Sequence, residues 1–398
     1  GQVGVAGANY GTSGQVLTSG GASGAVSWAN AAGGGGTVEL TASGALSDGD
    51  TVKLNADGTV TKFATTNQSF SASGELDYTP YQISFSSICH VPNTNKIILV
   101  YTDSNNSNYG TAVCGTISGS TITWGTSLVF DSTGTNYEVN AVVHESTGYV
   151  IVAAQRSSYY SFHTLTLSGT TLSLSRSQNY GTAGIPRGRC VALFYNSTAD
   201  ELAFLIGITN NSGMKALALS VDSSGVVTAG SYSSARSGAV GTEFAFGYDP
   251  VNDKYAVIYK QTNGSRYAFN AYHNGTRTIS WGSEASSSYG LPTPESPTTN
   301  CMVYDTEHSK LFYVKSAGGS GGNRYFWVYE VDTSASRISF SSSYTQLSYS
   351  DTEVEEVFGI AYNTNLKKHT IVFRSKYISS TNHSRIIAGE IDYNGSSF

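Results

Sequence analysis

The feature that most constrains this chain is a pattern that recurs six times: an apolar run, a short polar turn, then a second apolar run. The copies read VPNTNKIILVYTD from Val91, HESTGYVIVAAQ from His144, NSTADELAFLIGI from Asn196, DPVNDKYAVIYK from Asp249, DTEHSKLFYVKS from Asp305 and NTNLKKHTIVFRS from Asn363. Successive landmarks lie 52 to 58 residues apart. Repetition at such a period decides the fold before any single element does, because each unit must bury its apolar faces against its neighbours.

Each copy continues into a third apolar run: GTAVCGTI, FHTLTL, MKALALSV, YAFNAYH, RYFWVYEV and SRIIAGEI. Five copies carry a fourth, more polar run: STITWGTSLVF, TLSLSRSQ, GVVTAGSY, RTISWGSE and SRISFSSS. The runs alternate with a period of two or are apolar throughout, which is strand patterning and not helix patterning. Continuous second runs such as Ile97–Val100 and Ala203–Ile206 belong to strands covered on both faces. Four antiparallel strands in about 50 residues make the blade of a β-propeller. The expected fold is therefore all-β, a six-bladed β-propeller of four-stranded antiparallel blades, with the second strands inside and the fourth strands outside.

The sixth copy reaches the last residue, Phe398, without a fourth strand, whereas GTVTKFATTNQSF at Gly58–Phe70 has no partner upstream. That N-terminal strand is expected to complete the last blade and close the ring, which removes an exposed edge. TVKLN before it is separated by Asp57-Gly58, a hairpin signal. Three segments follow: a Gly-rich extended leader over residues 1–36, a short hairpin connector over 37–58 and the propeller over 59–398. Cys89 and Cys114 fall in the first and third strands of one blade, about 9–10 Å apart and beyond disulfide reach.

The composition agrees with strands and polar turns. Charged residues are 13% of the chain, and Tyr supplies 27 of the aromatics beside 16 Phe and 4 Trp. A net charge of −6 and a longest basic run of only Lys367-Lys368 argue against a nucleic-acid partner. No run approaches the ~20 apolar residues that span a bilayer. The seven His do not cluster in sequence, and no H-x-H or C-x-x-C spacing is present, so neither a metal nor any other cofactor is expected.

GTSGQVLTSGGASGAVSWA (Gly11–Ala29) resembles a motif of tail fibres and related structural proteins of tailed phages, and ALSDGDTVKLNADGTVTKF (Ala45–Phe63) resembles segments of the same fibres. NSNYGTAVCGTISGSTITWG (Asn106–Gly125) is similar to repeats in fibre proteins of marine phages, cyanobacterial ones above all. The resemblance implies a homotrimeric virion appendage held through the leader to other tail proteins, with the propeller displayed outward to a host-surface glycan or protein.

A propeller of this kind offers ligands the loops between second and third strands and the loops between blades. Those loops carry Tyr109, Tyr137, Tyr159, Tyr160, Arg187, Arg189, Arg266, Tyr267, Arg324 and Tyr325 among many Asn and Ser. Tyr offers a flat face to a sugar ring, and Arg, Asn and Ser offer hydrogen bonds to hydroxyls or carboxylates. Catalysis is not expected. The nearest Asp-box match, SGSTITWG at Ser118–Gly125, has no Asp, and Glu138, Glu243, Glu355 and Glu356 do not form the paired carboxylates that glycosidases need. Receptor binding, with glycan as ligand, is the expected function. A purely structural virion component and a polysaccharide-degrading hydrolase are the alternatives.

Overall fold

The computed structural model describes residues 15–18, 25, 27–30, 41–45, 52–54, 59–62, 83–118, 121–133, 138–156, 159–180, 188–208, 213–236, 240–275, 277–286, 301–317, 325–341, 345–348, 353–364, 367–376, 384–391 and 393. All regular structure among them is β, and the strand pairs within each sheet are antiparallel. The chain divides into two compact units, Gly1–Thr66 and Asn67–Phe398.

The first unit contains two small hairpins. Gln15–Thr18 pairs with Ser27–Asn30, which sets Leu17 opposite Trp28. The leader, expected to be extended, thus folds back on itself, because the QVLT and SWAN halves of its motif are complementary strands. Val52–Leu54 pairs with Val60–Lys62, the hairpin signalled by Asp57-Gly58. The rest of the expected ring-closing strand, residues 63–70, lies outside the described residues.

The described residues of the second unit fall into six consecutive meander sheets. Sheet 1 comprises Ile83–Val91, Lys96–Asp103, Tyr109–Ser118, Thr121–Trp124 and Leu128–Asp131; sheet 2 comprises Glu138–His144, Tyr149–Gln155, Tyr160–Ser168 and Thr171–Asn179. Sheet 3 runs through Gly188–Asn196, Glu201–Ile208, Gly213–Val221, Val227–Ala229 and Ser233–Arg236. Sheet 4 runs through Val240–Asp249, Lys254–Gln261, Arg266–His273, Ile279–Trp281 and Ala285–Ser286. Sheet 5 holds Met302–Asp305, Lys310–Ala317, Tyr325–Asp332, Ser339–Phe340 and Thr345–Ser348; sheet 6 holds Glu353–Asn363, Lys368–Lys376 and Ser384–Ile391. The first strand of each sheet packs against the first strand of the next, from sheet 1 through sheet 6.

The apolar runs are buried as their patterning requires. In sheet 1, Ile98, Val100, Ala112 and Cys114 pack on Val139, Ala141, Val150 and Val152 of sheet 2. Tyr101 and Val113, on the opposite face of sheet 1, are also buried. Cys89 and Cys114 lie on either side of the second strand, and both thiols are free. The outer strand Thr171–Asn179 is largely exposed.

Among the described residues, the expected single fourth strand occurs unbroken only in sheet 2. In sheets 1, 3, 4 and 5 it splits in two, and both halves pair with the third strand. At the break, the amides of Gly125, Gly230, Gly282 and Ser341 donate to Cys114, Ala218, Asn270 and Glu330 carbonyls at 2.8–2.9 Å. Three of these breaks press on the next sheet. A Cβ at Gly125 would stand 2.7 Å from the Thr170 carbonyl oxygen, one at Gly230 1.9 Å from that of Arg277 and one at Gly282 2.1 Å from that of Ser336. The Asp-less SGSTITWG segment is therefore a point where neighbouring sheets approach closely.

Candidate functional site

The loops between second and third strands spring from one end of each sheet. In sheet 1 the Asp103 carboxylate accepts the Asn105 amide at 3.0 Å, and Ser107 and Asn108 both take left-handed backbone angles (φ 54° and 55°). That turn delivers Tyr109 opposite Asp103, half-buried at the start of the third strand. In sheet 4, Gly264 (φ 88°) tightens the turn before Arg266, with Gln261 donating to the Ser265 carbonyl at 2.8 Å.

At the same end, a polar cluster crosses the seam between sheets 1 and 2. The buried Asp131 carboxylate ends the outer strand of sheet 1 and pairs with Arg156 Nη2 of sheet 2 at 2.6 Å. Its second oxygen lies 3.4 Å from His163 Nε2. Thr133 donates to Asp131 through its amide at 3.1 Å and its hydroxyl at 2.9 Å. Burial alone would raise the Asp131 carboxyl, but the His163 and Thr133 hydrogen bonds, with the charge of His163, more than reverse it. The acid is held well below the ordinary carboxylate range and stays ionised. His163 is fixed in turn by Ser161 Oγ at 2.9 Å from Nε2 and Ser177 Oγ at 2.8 Å from Nδ1.

Arg156 faces the loop. Its amide donates to the Tyr159 carbonyl at 2.8 Å, Nη1 reaches the Tyr159 hydroxyl at 3.4 Å, and its guanidinium carbon stands 5.7 Å from the Tyr159 ring centroid. A cation is thus anchored from behind by a buried carboxylate and flanked by a half-buried aromatic. Arg156 and Asp131 carry the site, yet neither was among the residues expected from sequence. The Asp131 environment arises only when two residues 25 positions apart, on neighbouring sheets, meet, and no local motif announces it.

The expected residues separate into three groups. Tyr109, Tyr159 and Arg266 lie at the loop end and are half-buried. Tyr160 and Tyr267 belong to the core instead. Tyr160 is fully buried, donates to Gln155 Oε1 at 3.2 Å and meets Phe204 of sheet 3 edge-on at 5.1 Å. It opens the third strand of sheet 2, whereas Tyr159 stands in the bend before it. Tyr267 is covered by Arg236, whose guanidinium carbon lies 4.3 Å from the ring and which also pairs with Glu284. The side chains of Arg189 and Tyr325, and Tyr137, Arg187 and Arg324 altogether, lie outside the described residues. Glu138 opens the first strand of sheet 2. The side chains of Glu243, Glu355 and Glu356 lie outside the described residues. No cluster of His, Cys, Asp and Glu among the described residues has the arrangement of a metal site.

No protein-family model matches the chain, and none of the curated proteins matches it. Solved structures do show likeness. A protein from Lactobacillus plantarum is similar at 11% identity and a TM-score of 0.45, over 89% of this chain and 98% of that one. The periplasmic gluconolactonase of Pseudomonas aeruginosa is similar at 10% identity and 0.44, over 78% and 85%. The Aleuria aurantia lectin, solved with Fucα1-6GlcNAc, is similar at 13% identity and 0.41, over 80% and 99%. Likeness at this level assigns no activity.

Proposed function

We propose that the six sheets close into a six-bladed propeller whose loop end binds a host-surface glycan, without catalysis, as the displayed part of a virion appendage. The observation that carries the binding reading is Arg156, held by buried Asp131 and flanked by Tyr159 at the loop end. A guanidinium fixed in this way needs little reorganisation to donate to sugar hydroxyls, and the adjacent ring gives a pyranose an apolar face. Ring closure is supported by sheet 1, buried both toward sheet 2 and on its opposite face through Tyr101 and Val113. The appendage reading rests on the leader motif, whose two halves pair as a hairpin. A trimer held through that leader, as in phage fibres, is the assembly we propose for it.

A glycan array probed with the purified full chain tests the reading. Binding to a defined glycan set, lost in Tyr159→Ala and retained in a control substitution of exposed Val251, is the expected result. Absence of binding, or cleavage of the bound glycan, contradicts it.

A further inference from the structure

We infer that the loop end takes an anionic glycan, one bearing carboxylate or sulfate groups, along a band of cations that crosses sheets 3 to 5. This rests on the loop-end binding proposed above and gives its ligand a chemical class. Register places the charges. Lys215 lies near the start of the third strand of sheet 3, opposite Ile206, and Arg236 ends the outer strand opposite Met214. In sheet 4, Lys260 and Arg266 stand opposite each other where the second strand turns into the third, so their side chains share a face. Lys260 alternates with Ala256 and Ile258, which pack in one cluster with sheet 5, so that face is turned to sheet 5. Lys315 of sheet 5 alternates with Leu311, whose side chain abuts Gly247 of sheet 4. It therefore enters the same seam from the other side, where it is only 8% exposed.

Aromatic rings hold this charge in place without cancelling it. Lys215 Nζ stands 4.1 Å from the Tyr232 ring centroid, the Arg236 guanidinium carbon 4.3 Å from that of Tyr267, and Lys315 Nζ 5.1 Å from that of Trp327. The contact of Arg156 with Tyr159 is of the same kind and at the same end. A ring attracts a cation through its quadrupole but carries no net charge. Tyr232 is 47% exposed and the Arg236 side chain 40%, so the band is open to solvent. Among the described side chains in the loop halves of sheets 3 to 5, the one carboxylate is Glu284, and Arg236 already binds it. Lys260, Arg266 and Lys315 also have partners within the protein; the gathering of charge at one end, not an unpaired group, is what selects the ligand. The chain as a whole has 22 Lys and Arg against 28 Asp and Glu, so the band locally reverses its sign. The opposite end holds Asp200, Asp253, Asp305 and Glu307 about its turns, and there Lys367 is paired with Glu307 and Lys310 with Glu330.

Charges spread over three sheets match acidic groups repeated along an extended chain, each meeting a guanidinium or ammonium through a charge-assisted bond. A single-stranded nucleic acid is an extended polyanion too, but it needs open rings on which its bases stack. Here Tyr232, Tyr267 and Trp327 are faced by the protein's own cations.

The test is binding of the full chain to matched pairs of polysaccharides: polygalacturonate against its methyl ester, and dextran sulfate against dextran. The acidic member of at least one pair should bind about tenfold or more tighter than its neutral partner, the worth of one charge-assisted bond. Which pair responds tells carboxylate from sulfate recognition. That binding should weaken as ionic strength rises from about 0.05 M to about 0.5 M, and by about threefold or more in each of Lys215→Gln and Arg266→Gln. Equal binding within both pairs, or none, overturns the anionic class, while the glycan array judges the loop-end reading separately. Equally tight binding of oligothymidylate overturns it in favour of attraction by charge alone. Unchanged affinity in both folded variants overturns the band as the site. Should neither variant fold, the matched pairs and the salt series decide.

Discussion

Gly148 takes a left-handed backbone angle (φ 74°), and a Cβ built there meets nothing within 4 Å. The cost of Gly148→Ala is therefore conformational alone, about 1–2 kcal/mol, measurable as a shift in denaturation midpoint. The same place in other first turns is filled by Asp200, Asp253, Ser309 and Lys367, with φ between 51° and 56°. Asp131 is the more consequential residue. Asp131→Asn leaves Arg156 without its carboxylate and should cost about 3 kcal/mol in chemical denaturation. Because the folded carboxyl is depressed below 3.8, its contribution is complete above that pH and is lost as pH falls further. The variant's loss of stability should therefore shrink in strong acid. Tyr159 was legible in the sequence as a loop aromatic, but Tyr160 was not separable from it. The bend ends and the strand begins between them, and nothing in SSYYSFH marks that boundary. His163 was equally silent, because its partner Asp131 stands on another sheet, 32 residues away.

In sheets 1, 3 and 4 the break in the fourth strand abuts the next sheet. Gly230 and Gly282 admit the carbonyls of Arg277 and Ser336 where no side chain fits. Gly230→Ala or Gly282→Ala must move main chain and should cost about 3 kcal/mol, about twice the penalty at Gly148, in the same denaturation assay. Lys254 fastens the neighbouring turn through its three carbonyl contacts, so Lys254→Met should destabilise by about 1–3 kcal/mol. The strands themselves were legible from apolar runs such as KIILVYTD and ELAFLIGI, which are buried nearly throughout. The split was not, since both halves of STITWGTSLVF read as one strand. Only the close approach of Thr170 explains why Gly125 interrupts it.

The period of 52 to 58 residues anticipated one sheet per repeat, and the described residues hold six. How the array ends was legible only as the unpartnered stretch GTVTKFATTNQSF, because closure itself depends on contacts between the two extremes of the unit. The closed ring we propose accounts for the burial of Tyr101 and Val113 on the far side of sheet 1. Closure is tested most directly by the distance between spin labels on the exposed first-strand positions Ile88 of sheet 1 and Ala361 of sheet 6, in a chain whose native cysteines are replaced by alanine. A label pair at Ile88 and Asn140, on the adjoining first strands of sheets 1 and 2, is the reference. The closed ring predicts that the two pairs give similar separations. A separation between sheets 1 and 6 at least twice the reference would mean that the six sheets form an open array.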